Sequence, residues 1–93
     1  MTDIDAAGLS GADTSLLIVD DDKAFLQRLA RAMESRGFIV ETADSVAEGM
    51  RKVEQLPPAF AVVDMRLEDG NGLDVIEAIR SRRPESRMVV LTG

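Results

Sequence analysis

The chemistry open to this chain is confined to carboxylates, hydroxyls, lysine, arginine and backbone. The sequence contains no cysteine and no histidine. A thiolate nucleophile, a disulfide, the commonest zinc ligand and the usual base at neutral pH are therefore excluded. The carboxylates fall in an informative pattern. Asp20, Asp21 and Asp22 follow the apolar run SLLIV, Asp64 closes AFAVV, and Thr92 closes RMVVL. If the first and third apolar runs are neighbouring strands, their acidic ends converge. Carboxylates held together repel, and each disfavours ionisation of the others. Such a cluster calls for a cation, and a ligand set of oxygens alone selects a hard ion, Mg²⁺ above all. A strand-ending aspartate can instead cap the next helix, and for Asp22 that reading fits better. Capping explains less well why Asp20, Asp21 and Asp64 should share one crevice, so these three are read as a metal site. The Thr92 hydroxyl could meet a phosphoryl oxygen, but threonine is also an ordinary strand residue, and on its own it is read as that.

These residues need a scaffold, and the hydropathy pattern supplies one. Residues 15–20, 38–42, 59–64 and 87–92 are short apolar runs that read as strands; the continuous run at 15–20 reads as a strand buried on both faces. Between them lie amphipathic stretches. Asp22–Arg36 carries Phe25, Leu26, Leu29 and Met33 at helical spacing and ends at Gly37. Ser45 with Glu48 three residues on is a capping-box signature, and Val46, Met50 and Val53 line a second helix stopped by Pro57–Pro58. Leu73–Arg83 is a third helix with Leu73, Ile76 and Ile79 on one face, closed by Pro84. Strands alternating with helices imply right-handed crossovers and a parallel sheet. In such a sheet the ligand crevice lies at the carboxyl ends of the strands, where the acidic residues sit. Glu68–Gly72 reads as a loop, with Gly70 and Gly72 as turn residues; Met33, Met50 and Met88 read as core; the Arg80–Arg87 cluster reads as a solvated helix end.

Charge distribution narrows the partners. The net charge is −6 over 93 residues, yet residues 1–22 hold six aspartates and no base. The remainder is balanced, with eleven acidic and eleven basic residues. No basic footprint for nucleic acid is present. No apolar run approaches a membrane span, and no signal peptide is visible, so a cytoplasmic address is expected. Residues 1–14 are small, acidic and aperiodic and are expected to form a flexible tail.

At this point the sequence resembles a known family. LLIVDDD, AVVDMRLEDGNGLDVIEAIR and VVLTG, in this order and spacing, are similar to the receiver domain of two-component response regulators across residues 15–93. The wording RLEDGNGLDV is most similar to the redox-responsive global regulators of the RegA/PrrA/ActR type, whose receivers precede a Fis-like helix-turn-helix domain. The resemblance implies a flavodoxin-like (CheY-like) α/β fold, here with four strands in the order 2-1-3-4 and three helices. It implies a signalling protein rather than an enzyme, with Asp64 accepting a phosphoryl group from a sensor histidine kinase. It further implies Mg²⁺ bound directly by Asp21, largely through water by Asp20, and also by Asp64 and the backbone carbonyl of Arg66. Thr92 would hydrogen-bond the phosphoryl group. DNA would be contacted through a C-terminal domain and not through these residues.

The resemblance also frames what to expect of the chain as it stands. A receiver has five strands and five helices, so residues 15–93 correspond to a partial domain, without the fourth helix, the fifth strand with its lysine and aromatic switch residue, the fifth helix and the DNA-binding domain. The fourth strand is then expected to form an open apolar edge, with Phe25, Leu26, Leu29 or Met33 exposed on one side of the first helix. Self-association or domain swapping is the expected result. Two other readings compete. A haloacid-dehalogenase-like phosphohydrolase would use Asp20 as nucleophile and Asp22 as acid/base, although Ala24 departs from that pattern. An inactive structural or oligomerising fragment would keep the shape without the transfer.

Overall fold

The structure, a computed structural model, describes residues 13–92. The first twelve residues of the expected tail lie outside this range. Its last two are engaged: the Asp13 carboxylate pairs with Arg83 at 2.8 Å, and the Thr14 carbonyl accepts the Ile39 amide at 3.1 Å.

The elements run in chain order as β1 (Ser15–Val19), α1 (Lys23–Glu34), β2 (Ile39–Ala43), α2 (Val46–Gln55), β3 (Phe60–Asp64), β4 (Arg66–Leu67), β5 (Gly70–Asn71), α3 (Leu73–Arg82) and β6 (Arg87–Leu91). The main sheet is parallel in the order β2-β1-β3-β6. This is the order expected from the sequence, with β6 as the fourth long strand. The register sets Leu16 against Phe60 and Val19 against Val63 in the central pair. It sets Val19 against Ala43 on one side and Asp64 against Leu91 on the other.

Alternation along β1 divides the core between two faces. Leu16 and Ile18 pack with Leu26 of α1 and with Phe38. Leu17 and Val19 pack with Val53 of α2 and Val75, Ile76 and Ile79 of α3. The phenyl rings of Phe38 and Phe60 meet edge to face, 5.4 Å apart, at the amino end of the sheet. Gly49 lets α2 lie close to α3: a Cβ there would stand 3.2 Å from a Val75 methyl.

Helix ends follow the capping rules. Asp22 caps α1 by accepting the Phe25 amide at 3.1 Å, as its sequence position suggested. Ser45 caps α2 by accepting the Glu48 amide at 3.1 Å. Gly37 turns the chain after α1 with φ 94°, a conformation that favours glycine.

Five expectations need correction. Glu68–Gly72 is not a plain loop, because Arg66–Leu67 and Gly70–Asn71 form a small antiparallel hairpin. Leu73 is 44% exposed; Val75 takes its place on the buried face of α3, since 75, 76 and 79 form a tighter stripe than 73, 76 and 79. Met50 points outward, its expected contact taken over by the close approach at Gly49. Arg83 is not simply solvated: besides Asp13 it meets Glu85 at 3.3 Å and the Pro57 carbonyl at 3.2 Å. The outer strand behaves as expected. Val89 is 53% and Val90 42% exposed at the β6 edge. The exposure expected on α1 is not found and is the fifth correction: Leu26 is buried with Leu16, Ile18 and Phe38, and Phe25, Leu29 and Met33 are half-buried.

Candidate functional site

The sheet register brings the acidic strand ends together. Asp20 follows Val19, Asp64 follows Val63, and Val19 and Val63 are partners. Asp20 is tied further by its own amide, which donates to the Ala43 carbonyl at 3.1 Å. Asp64 is the last residue of β3, and the next amide, that of Met65, donates to the Leu91 carbonyl at 3.1 Å. This bond fixes the end of β6, and so Thr92, beside Asp64. Asp20, Phe25, Asp64, Val90, Leu91 and Thr92 line one open depression of about 380 Å³.

One carboxylate oxygen from each of Asp20, Asp21 and Asp64 can be chosen such that all three lie within 4.8 Å of one another. Octahedral Mg²⁺ with ligands at about 2.1 Å spans about 4.2 Å between opposite oxygens. The three carboxylates therefore fit such an ion with slight closure or an intervening water. Burial raises the pKa of Asp20, which is only 6% exposed, and the negative charges of Asp64, Asp21 and Asp22 push the same way; the Asp22 amide on its carboxylate opposes them. The donor chemistry is that of a hard divalent cation: oxygens alone, in mutual repulsion that positive charge would relieve.

Each carboxylate also holds backbone. Oδ1 of Asp20 accepts the Asp22 amide at 2.8 Å, and Oδ1 of Asp64 accepts the Arg66 amide at 3.0 Å. Oδ2 of Asp21 accepts the Glu68 amide at 3.2 Å. Arg66, expected to offer its carbonyl, thus begins the hairpin with its amide bound to Asp64. Asp22 stands apart from the cluster in its capping role.

Two residues at the site escaped the sequence reading. Asp69 accepts the Val46 amide at 2.8 Å and the Ala47 amide at 3.1 Å, joining the hairpin tip to the start of α2. These amides lower its pKa. Gly72 lies against the backbone of Asp64: a Cβ on it would fall 2.2 Å from the Asp64 carbonyl oxygen. The Asp69–Gly70 pair marks a turn in general terms, but the hairpin's two-residue loop is Glu68–Asp69, with Gly70 already in β5. The two contacts themselves leave no mark in local sequence.

Residues 16–93 match the model of the response regulator receiver domain. The chain belongs to the receiver domain family. It is 69% identical over 83 residues to the photosynthetic apparatus regulatory protein RegA of Cereibacter sphaeroides, covering 89% of this chain and 45% of that protein. It is 69% identical over 87 residues to the acid tolerance regulatory protein ActR of Rhizobium meliloti, covering 94% of this chain and again 45% of the relative. This receiver chain thus spans under half the length of these curated relatives, both named as regulatory proteins. Among solved structures, a Burkholderia pseudomallei response regulator with a phosphorylated aspartic acid, a calcium ion and citrate superposes with TM-score 0.81 at 33% identity, over 87% of this chain and 48% of that one. A CheY-like receiver domain protein from Methanospirillum hungatei does so with TM-score 0.81 at 33% identity, over 88% of this chain and 66% of that one. The CheY-like fold expected from the sequence is the fold found. Among the described residues no helix is long and apolar enough to cross a membrane.

Proposed function

We propose that this receiver domain accepts a phosphoryl group on Asp64 from the phosphohistidine of a sensor histidine kinase. The observation that carries this reading is the convergence of Asp20, Asp21 and Asp64, with Asp64 opening onto the depression that Thr92 also lines. An Asp64 carboxylate oxygen attacks phosphorus, the phosphorus–nitrogen bond breaks, and its electron pair stays on the departing imidazole, which is protonated. Asp20, Asp21, Asp64 and the Arg66 carbonyl would hold Mg²⁺, which neutralises charge on the transferring group. Thr92 donates its hydroxyl to a phosphoryl oxygen. Asp20 suits the metal better than the nucleophile's place, being the more buried carboxylate and already bound to the Asp22 amide. The likeness to regulatory proteins supports a parent protein that acts as a cytoplasmic transcriptional regulator, meeting DNA through residues beyond the receiver. The exposed edge of β6 supports self-association of the 93-residue polypeptide on its own.

The test is phosphosite mapping. The chain is incubated with acetyl phosphate, with and without Mg²⁺, and the acyl phosphate is trapped by borohydride before peptide mass spectrometry. A Mg²⁺-dependent label on Asp64 is expected. A label on Asp20 would favour the hydrolase reading, and no label would leave a receiver fold without transfer.

A further inference from the structure

The hairpin after Asp64 is held at its root and along its length by different groups. At the root Leu67 is buried in the core, and the Arg66 amide is bound to Asp64. Beyond the root, the Glu68 amide is bound to Asp21 and the Asp69 carboxylate to the first two amides of α2. Gly70, at φ 154°, brings the tip close to that first turn: a Cβ on it would stand 3.5 Å from a Val46 methyl. Glu68 and Asp69 are exposed, so packing does little to hold the tip.

We infer that Asp69 is a positioning residue for the acceptor site, acting through the hairpin. By gripping the amino end of α2, it keeps the Glu68 amide on Asp21 and so fixes the rotamer of a carboxylate in the metal cluster. The anionic side chain suits this grip because two amides and the positive end of the helix dipole face it. Removing a partner that orients a metal-binding side chain typically weakens metal binding about ten- to a hundredfold. The inference rests on the receiver reading above.

Four variants of the full chain test it. Asp69→Ala removes the grip. Val46→Pro deletes the first donor and leaves Asp69 in place; proline is accepted at the first helical position. Ser45, at φ −155° and ψ 164°, already has the extended backbone favoured before proline. Asp69→Asn keeps an acceptor oxygen. Ser45→Ala removes the other cap of the same helix without touching the hairpin. The reading is the Mg²⁺ concentration that gives half-maximal acetyl phosphate labelling of Asp64, beside the melting temperature in chelator. Asp69→Ala and Val46→Pro should raise that concentration about tenfold. Asp69→Asn should restore most of the loss. Ser45→Ala should lower the melting temperature and leave the Mg²⁺ requirement unchanged. The inference fails if the first two variants keep the wild-type requirement, or if Ser45→Ala moves it as far. A wild-type chain that takes no label on Asp64 overturns the proposed phosphoryl transfer and this inference with it, whereas a labelled wild type with unchanged variants overturns the inference alone.

Discussion

Gly72 is pressed against Asp64 so closely that any side chain on it would overlap the Asp64 carbonyl. Its backbone, at φ −59° and ψ −17°, is open to any residue, so the requirement is one of space and not of conformation. Gly72→Ala must push α3 and the end of β3 apart. A loss of about 3 kcal/mol is expected in urea unfolding, the upper part of the usual overpacking range. Labelling of Asp64 should fall as well, because the strand end that carries it moves. An alanine variant of wild-type stability would show that the contact relaxes freely.

Asp13 and Arg83 predict a pH effect at the opposite end of the sheet. The Arg83 guanidinium and the Ser15 amide hold the Asp13 carboxyl down at about 2, from an ordinary 3.8. A carboxyl lowered on folding stabilises the folded state above its unfolded pKa, and that contribution fades as pH falls toward the folded value. Asp13→Asn should therefore unfold at lower urea than wild type at pH 6, with the gap closing between about pH 4 and pH 2. Both carboxylate and guanidinium are partly solvated, so the gap should also shrink in high salt. A gap independent of pH would mean that the charge is irrelevant.

Asp20→Asn separates charge from shape. Asparagine keeps an oxygen for the Asp22 amide and removes one of three clustered negative charges. In chelator the variant should melt above wild type, because buried repulsion is relieved. Wild type should gain about 2.7 kcal/mol from Mg²⁺ at a hundred times its Kd. The variant should gain much less. Equal Mg²⁺ stabilisation of the two proteins, followed by calorimetry, would remove Asp20 from the metal site.

The β6 edge predicts association. Val89 and Val90 are exposed on a strand paired on one side only, with β3, among the described residues. Unpaired strand edges recruit other chains. Light scattering on the 93-residue polypeptide should show a mass that rises with concentration, and Val90→Lys should lower it. A single monomer mass at every concentration would refute this.

Much of this molecule was legible in its residues. Four apolar runs and three helical stripes define the sheet and its layers, because each is long enough for its period to register. The carboxylate cluster was legible for a related reason: parallel strands end on one side, so Asp20, Asp21 and Asp64 could be placed together from strand ends alone. What escaped was short or remote. Two-residue strands such as Arg66–Leu67 carry no period. Asp69 reaches Val46 across 23 positions and Arg83 reaches Asp13 across 70, distances over which hydropathy patterns are silent. Leu73 was misplaced because spacing names a face but does not say where the stripe is centred. The demand for glycine at position 72 depends on a carbonyl eight residues earlier, which only the packed structure reveals.

The central place of β1 has a bearing on how the chain is made. Its two partners arrive at different times during synthesis. β2 follows after one helix, whereas β3, which sets Phe60 beside Leu16, is translated some forty residues later. Until then the most apolar strand of the protein has one flank of amides and carbonyls without a partner. Ribosome-bound intermediates that end before Phe60 should be the species that chaperones hold and proteases cut, and release should coincide with the emergence of β3.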